Sequence, residues 1–166
     1  MPANDYFYQT VGFHFAVSFR NIEDFNAIDA RFQSVSGLDV KIETESLKEG
    51  GENRFEHVLP TRKKYSNLVL KRGLLSPEAG SKITAWCLNA FQQYDQIGPS
   101  APRRMKIEPI NLDIVLLNEN HEPLMKWKVI HAWPVSWKFG ELNAEKSEVL
   151  LETLELNYNR FEFTTS

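Results

Sequence analysis

The side chains best suited to chemistry in this 166-residue sequence are four histidines, one cysteine and a scatter of carboxylates. His14, His57, His121 and His131 occupy separate stretches, with no i,i+4 pair and no HExxH spacing. A zinc site built from them would require the fold to converge distant side chains. His121, in NENHEPL, has Glu119 and Glu122 beside it, the composition of a solvated hairpin turn. Cys87 falls on the apolar side of a helical stretch, where a thiol serves as a small core residue rather than a nucleophile. Glu43 and Glu45 share a strand face in the manner of a carboxylate pair for glycosidic bond cleavage, but Glu alternating with Lys on an exposed strand accounts for them more simply. Trp127, Trp133 and Trp137 would line a sugar- or base-binding face or, at these spacings, a sheet core. No GxSxG elbow, P-loop or GxGxxG is present, and KEGGEN has too few glycines and no following helix to cradle a phosphate. The reading is a protein without an active site, a cofactor or a metal.

Charge raises a different possibility. LPTRKKYSNLVLKRG, Leu59 to Gly73, places Arg62, Lys63, Lys64, Lys71 and Arg72 around a short apolar strand. Nucleic-acid binders draw most of their affinity from phosphate neutralisation and counterion release, yet this chain carries a net charge of −3. Arg62, Lys63 and Lys64 also lie near Glu49, Glu52 and Glu56, and only Tyr65 is an interleaved aromatic. Successive strand side chains point to opposite faces, so Leu68 and Leu70 go to the core with Arg72 at their end, while Val69 and Lys71 face the other way. Lys71 and Arg72 therefore do not make one basic patch. They read as strand-end charges pairing with acidic groups of the same or a neighbouring subunit, and Arg62 to Lys64 as the exposed base of a hairpin.

The elements that would carry these residues are mostly strands. Apolar residues at 42% and charged residues at 25% suit a soluble globular chain, and 166 residues suit one domain, 1–166, burying roughly 70% of its unfolded surface. One cysteine excludes an internal disulfide. The apolar runs are far short of a membrane span, and MPANDYFYQT lacks a basic segment followed by an apolar one, so synthesis in the cytoplasm without a signal peptide and no membrane insertion are expected. After an N-terminal arm over 1–11, GFHFAVSFR alternates with period two. Gly37 marks a bend in RFQSVSGLDVKIETESL, and Gly50-Gly51 tip a projecting hairpin over 46–58. A helix is expected over 76–97, with Ser76 as N-cap, Pro77 at its first position and a stripe of Ile83, Trp86, Cys87, Ala90, Phe91 and Tyr94 centred on Trp86. Two strands follow around a turn at Asn118 to Pro123. Ile110, Leu112, Ile114 and Leu116 alternate in the first, and Met125, Trp127, Val129, His131 and Trp133 share a face in the second until Pro134 ends or kinks it. In the last strand, Leu150, Leu154, Leu156 and Tyr158 are in phase. The expected fold is mainly β: a closed antiparallel barrel or two-sheet sandwich of about six to eight strands with one flanking helix. Several strands are apolar on both faces, so the second face must meet another layer or another subunit.

These segments, in order, form a pattern. SVSGLDVKIETESLKEGGENRFEHVLPTRKKYSNLVLKRG, then a helix bearing a Trp, then AWPVSWKF and EVLLETLELNY resemble the tail tube proteins of contractile phage tails and phage-derived contractile injection systems. The likeness runs from Gly12 to about Tyr158, most specifically in Val35 to Leu38, Gly50-Gly51, Leu59-Pro60, Tyr65, Asn67-Leu68, Leu70 to Gly73, Ala132, Pro134 and Trp137. It implies a structural subunit: hexameric rings stacked into a hollow tube inside a sheath, with sheath, baseplate, initiator and terminator proteins as partners and toxin protein or DNA as cargo in the lumen. It further implies a place in a phage tail or in a released or cell-anchored particle. The hairpin would reach a neighbour through Lys48, Glu49, Gly50, Gly51, Glu52, Asn53 and Arg54, and Arg62, Lys63, Lys64, Lys71 and Arg72 would help set the register between subunits. An initiator or terminator ring of the same system fits equally. A monomeric oligonucleotide- or carbohydrate-binding barrel is the alternative from another class.

Overall fold

The computed structural model describes residues 14–20, 32–47, 56–75, 81–95, 108–143, 145 and 149–165. Period-two alternation sets the first strand pair. β1 (Phe15–Arg20) buries Val17 and Phe19 and turns Ser18 and Arg20 outward. It pairs antiparallel with β6 (Ile110–Leu117), Phe15 opposite Leu116 and Arg20 opposite Asn111. Asn118 then folds the chain back, because its Oδ1 accepts from the Asn120 and Glu122 amides, both at 2.9 Å. A side chain standing in for a backbone turn is what Asn does well.

β7 (Pro123–Phe139) is the long strand that organises the rest. Its first half lies between β6 and β9 (Arg160–Thr165), and its second half pairs with β8 (Leu151–Asn157). Trp133 faces Asn157 and Ile130 faces Arg160, so β8 and β9 follow β7 as one edge interrupted at Tyr158 and Asn159. The register against β6 slips between Ile110 and Leu112, opposite His131, whose backbone is left-handed at φ 56°. The extra residue is a bulge. It reverses the phase: Val129 and Ala132 are both buried and His131 is exposed, so the shared face expected for Met125 to Trp133 holds only as far as Val129. Pro134 does not end the strand either. A register shift between Pro134 and Ser136 accommodates it where β7 is bonded to β8 alone, and the strand continues to Phe139.

β5 (Leu68–Gly73) joins β8 on one side and the short β2 (Ser34–Ser36) on the other. The seven-stranded sheet runs β1-β6-β7-β8-β5-β2, with β9 also on β7. β3 (Val40–Leu47) and β4 (His57–Tyr65) form a separate two-stranded sheet. Nine strands are thus described where six to eight are expected, because the tail splits into two and the hairpin arms stand apart. The expected closed barrel is not found among the described residues. β1 and β2 end the strand order unpaired with each other, and β2 stops after three residues where Gly37 turns the chain away. Gly37 has φ +89°, and a Cβ there would lie 2.0 Å from the Asn67 carbonyl oxygen, so only glycine fits.

The helix, α1 (Lys82–Asp95), begins later than expected from 76–97. Ser81 caps it, its Oγ accepting the Thr84 amide at 3.2 Å, whereas Ser76 and Pro77 lie outside the described residues. Ile83 and Cys87 are each 1% exposed and form the centre of the packed stripe. Trp86 is only half-buried and donates its indole N–H to the Glu108 carbonyl at 3.0 Å, so it is not that centre. Phe91 stacks on Trp137 of β7, ring centroids 6.5 Å apart. One apolar cluster joins Val17, Phe19, Leu112, Ile114 and Val129 to Leu68, Leu70, Leu154 and Leu156 and to the two helix residues.

Candidate assembly surface

The β3–β4 hairpin leaves the body of the molecule at Val40 and returns at Tyr65, a longer base than the expected 46–58. Its register places Val40 opposite Tyr65, Ile42 opposite Lys63, Thr44 opposite Pro60 and Ser46 opposite Val58. Directly opposed residues share a face. One face is therefore Val40, Ile42, Thr44, Ser46, Val58, Pro60, Lys63 and Tyr65. At its base Tyr65 packs on Tyr158 and Phe161, ring centroids 5.7 and 5.5 Å away, so this face continues the chain's own core outward. Beyond Tyr65 the cover ends: Val40 is 49%, Ile42 53% and Val58 60% exposed.

The other face is charged near the base. Lys41 stands opposite Lys64, a like-charge pair relieved by Glu43, which accepts from Arg62 Nε at 2.6 Å and lies 3.8 Å from Lys64 Nζ. The Arg62 hydrogen bond holds the Glu43 carboxyl below the usual carboxylate range, and Glu43 in turn raises the guanidinium of Arg62. Lys63 and Lys64 are exposed on β4, and Lys71 is exposed on β5. Lys48, Glu49, Gly50, Gly51, Glu52, Asn53 and Arg54 lie outside the described residues.

Arg72 has a different place. It is 2% exposed, sits opposite Glu152 on β8, and donates from Nε to that carboxylate. Its Nη2 donates to Ser81 Oγ at 3.1 Å and Thr84 Oγ1 at 3.0 Å. The strand-end charge expected to pair within the same chain or with a neighbour pairs here with Glu152 of its own chain, and Arg72 is enclosed at 2% exposure. The group fastens the start of α1 to the sheet. Burial, and then the Glu152 charge, push the nearby Cys87 thiol up to about 12, leaving it a core residue.

Two arrangements escape a strand-by-strand reading of the sequence. His14 and His121 meet, Nε2 to Nδ1 at 2.9 Å with rings edge to face, and His14 Nδ1 lies 3.2 Å from the Asn118 carbonyl oxygen. Among the described residues no three His, Cys, Asp or Glu side chains are placed to hold a metal ion. Asp113 is buried on β6 between Arg20 and Lys126, at 2.6 and 3.0 Å. Burial alone would raise its carboxyl, but the hydrogen bonds from Arg20 and Lys126 outweigh it and hold it low. The one signal available for Glu152 is its phase, since it occupies the buried register of Leu150, Leu154 and Leu156.

Comparison with known proteins gives the surface its context. Residues 11–162 match the family described as T4-like virus tail tube protein gp19. A structure of the anti-feeding prophage baseplate, 6-fold symmetrised, contains a chain 32% identical, with TM-score 0.75 over 95% of this chain and 97% of that one. The sheath-tube complex of the extracellular contractile injection system PVC has a chain at 22% identity and TM-score 0.73, covering 97% and 95%. The anti-feeding prophage tube terminating cap has one at 23% and 0.69, covering 96% and 93%. The last two likenesses establish shared fold. No curated protein matches. Among the described residues, no helix is long and apolar enough to cross a membrane.

Proposed function

Because the chain belongs to the T4-like virus tail tube protein gp19 family, we propose that it is a structural subunit of the inner tube of a phage tail or contractile injection system, assembling as stacked hexameric rings around a cargo-conducting lumen. The observation that carries this reading is the family match over nearly the whole chain. The matched family is described as a tail tube protein, a structural role, and this supports reading the chain as a non-enzyme. The fold supports it in a specific way. β1 and β9, six residues each, are bonded on one side only among the described residues, and such edges invite pairing with another chain. Joining them between subunits would supply the barrel closure that a single chain does not make. In that arrangement the two parts of the seven-stranded sheet pack as the layers of a sandwich, and sheath, baseplate and terminator proteins are the partners. The lumen would pass toxin protein or DNA.

A second reading has its own observation: the chain sharing 32% identity belongs to a baseplate, which favours a tube initiator ring. Electron microscopy of the purified protein tests the first, with rings or tubes expected and a strict monomer at high concentration refuting it. Labelling the subunit within the particle separates the two, since signal along the whole tube supports a main subunit and signal confined to the baseplate an initiator. Replacing Lys48 to Arg54 by an Asn-Gly turn should leave circular dichroism near native and abolish tubes. A length-preserving charge reversal of Lys48, Glu49, Glu52 and Arg54 should weaken assembly in the same direction.

A further inference from the structure

His14 precedes β1 and His121 lies in the turn between β6 and β7, yet the fold brings Nε2 of the first within 2.9 Å of Nδ1 of the second. The rings stand nearly perpendicular, their planes 84° apart. A single oxygen sets both residues: the Asn118 carbonyl accepts from the His121 amide at 3.1 Å and lies 3.2 Å from His14 Nδ1. A carbonyl oxygen only accepts, so His14 carries its proton on Nδ1 and leaves the lone pair of Nε2 toward His121. Both residues are anchored behind the rings. The His14 carbonyl accepts the Leu117 amide at 2.9 Å, which extends the β1–β6 ladder by one residue. On the turn, Asn118 donates from its amide to the Glu122 carbonyl at 2.9 Å and from Nδ2 to Glu122 Oε2 at 2.8 Å. His121 itself is left-handed at φ 63°, a conformation that histidine adopts more readily than most residues.

We propose that His14 Nε2 and His121 Nδ1 are neighbouring ligands of one divalent transition-metal ion of the copper(II) and nickel(II) class, bound where β1 meets the β6–β7 turn. Two nitrogens about 2.0–2.1 Å from an ion and at right angles stand about 2.9 Å apart, whereas a tetrahedral pair stands about 3.3 Å apart. The observed 2.9 Å is the first of these, the tetragonal arrangement that copper(II) and nickel(II) take with nitrogen and oxygen ligands. The bond from His14 Nδ1 to a backbone carbonyl is the outer support that metal-bound histidines ordinarily have, since it fixes both the tautomer and the ring. Without an ion, His121 donates its Nδ1 proton to His14 Nε2. With one, that proton passes through water to Nε2 of His121, an exposed residue, so both facing nitrogens offer lone pairs and no net proton is released. No third ligand side chain is placed here among the described residues, so water fills the remaining positions and the ion exchanges freely. Bound there, it staples the entry of β1 to the turn. Nothing in the site depends on assembly.

The test titrates the full chain with copper(II) chloride, read by calorimetry and by electron paramagnetic resonance. One ion per chain is expected, with a spectrum split by two nitrogens and with tighter binding of copper than of zinc. His14→Ala and His121→Ala should each weaken binding roughly tenfold or more, while His57→Ala and His131→Ala, on β4 and β7, leave it unchanged. The melting temperature should rise with copper in the native chain and not in the two weakened variants. A second measurement needs no substitution: ascorbate and air oxidise the side chains that hold bound copper, and peptide mass spectrometry of the native chain should find 2-oxohistidine at His14 and His121. Equal copper affinity in the native chain and both alanine variants, or oxidation confined to His57 or His131, overturns the site and leaves the rings joined by a hydrogen bond alone. If an alanine variant fails to fold, the oxidation map of the native chain decides.

Discussion

Arg62 and Arg72 lie on successive strands, and each donates from Nε to a glutamate on an antiparallel neighbour, yet the two pairs do opposite work. The side chains of Arg62 and Glu43 are 81% and 31% exposed, whereas those of Arg72 and Glu152 are 2% and 5% exposed. Water already solvates the first pair, so its bond adds little to folding and remains available to a partner. The second pair has been taken out of water, and its charges are tolerable only together. Arg72 also lies against Ser81 at the start of α1, where the helix dipole disfavours a cation, and Glu152 offsets that as well. Identical chemistry therefore serves docking in one place and the surface in the other, with burial deciding which.

The largest expected effect breaks the buried pair. Glu152→Ala removes the carboxylate opposite a buried guanidinium and should destabilise the fold by about 3–5 kcal/mol, read from urea denaturation. Adding Arg72→Met should recover most of that loss. A single-variant loss under about 1 kcal/mol would mean that Arg72 reaches water, and the contrast with Arg62 would collapse.

Gly37 joins the two regions, since the hairpin starts just beyond it and Tyr158 donates its hydroxyl to the Gly37 carbonyl at 3.0 Å. Gly37→Ala puts a Cβ against the Asn67 carbonyl in a left-handed backbone and should cost about 1–3 kcal/mol, with assembly impaired as well. Unchanged stability would show that the hairpin base is free to shift.

Asp113 stands between the extremes. Its carboxyl is held low in the folded chain, so its contribution is complete above the unfolded carboxylate value near about 4 and is lost as pH falls through the lower folded value. Asp113→Asn should therefore lower stability at neutral pH and flatten the acid limb of the stability curve. An unchanged limb in the variant would remove Asp113 from the set of groups that titrate on unfolding.

The smallest effect on folding, and the sharpest test of the contrast, is Arg62→Ala. The unfolding midpoint should stay where it is, while any assembly should become weaker and less sensitive to salt. A large stability loss would place the hairpin's charged face inside the subunit's own structure.

Much of this was written in local pattern. Period two in NLVLKRG and in FAVSFR sends Leu68, Leu70, Arg72, Val17 and Phe19 inward, and those residues are buried. Spacing of three and four around Ile83 and Cys87 makes a helix, and Gly37 requires a bend. Such features follow from backbone dihedrals and side-chain direction within a few residues, which is why they are legible in one dimension. What the pattern omits is the partner. Arg72 and Glu152 are separated by 80 residues and His14 and His121 by 107, and only the strand order brings them together. The bulge at His131, the later helix start at Ser81 and the open sheet in place of a barrel were settled the same way. Each depends on which strands pair and on where packing leaves room for an extra residue, so each is a property of the whole fold.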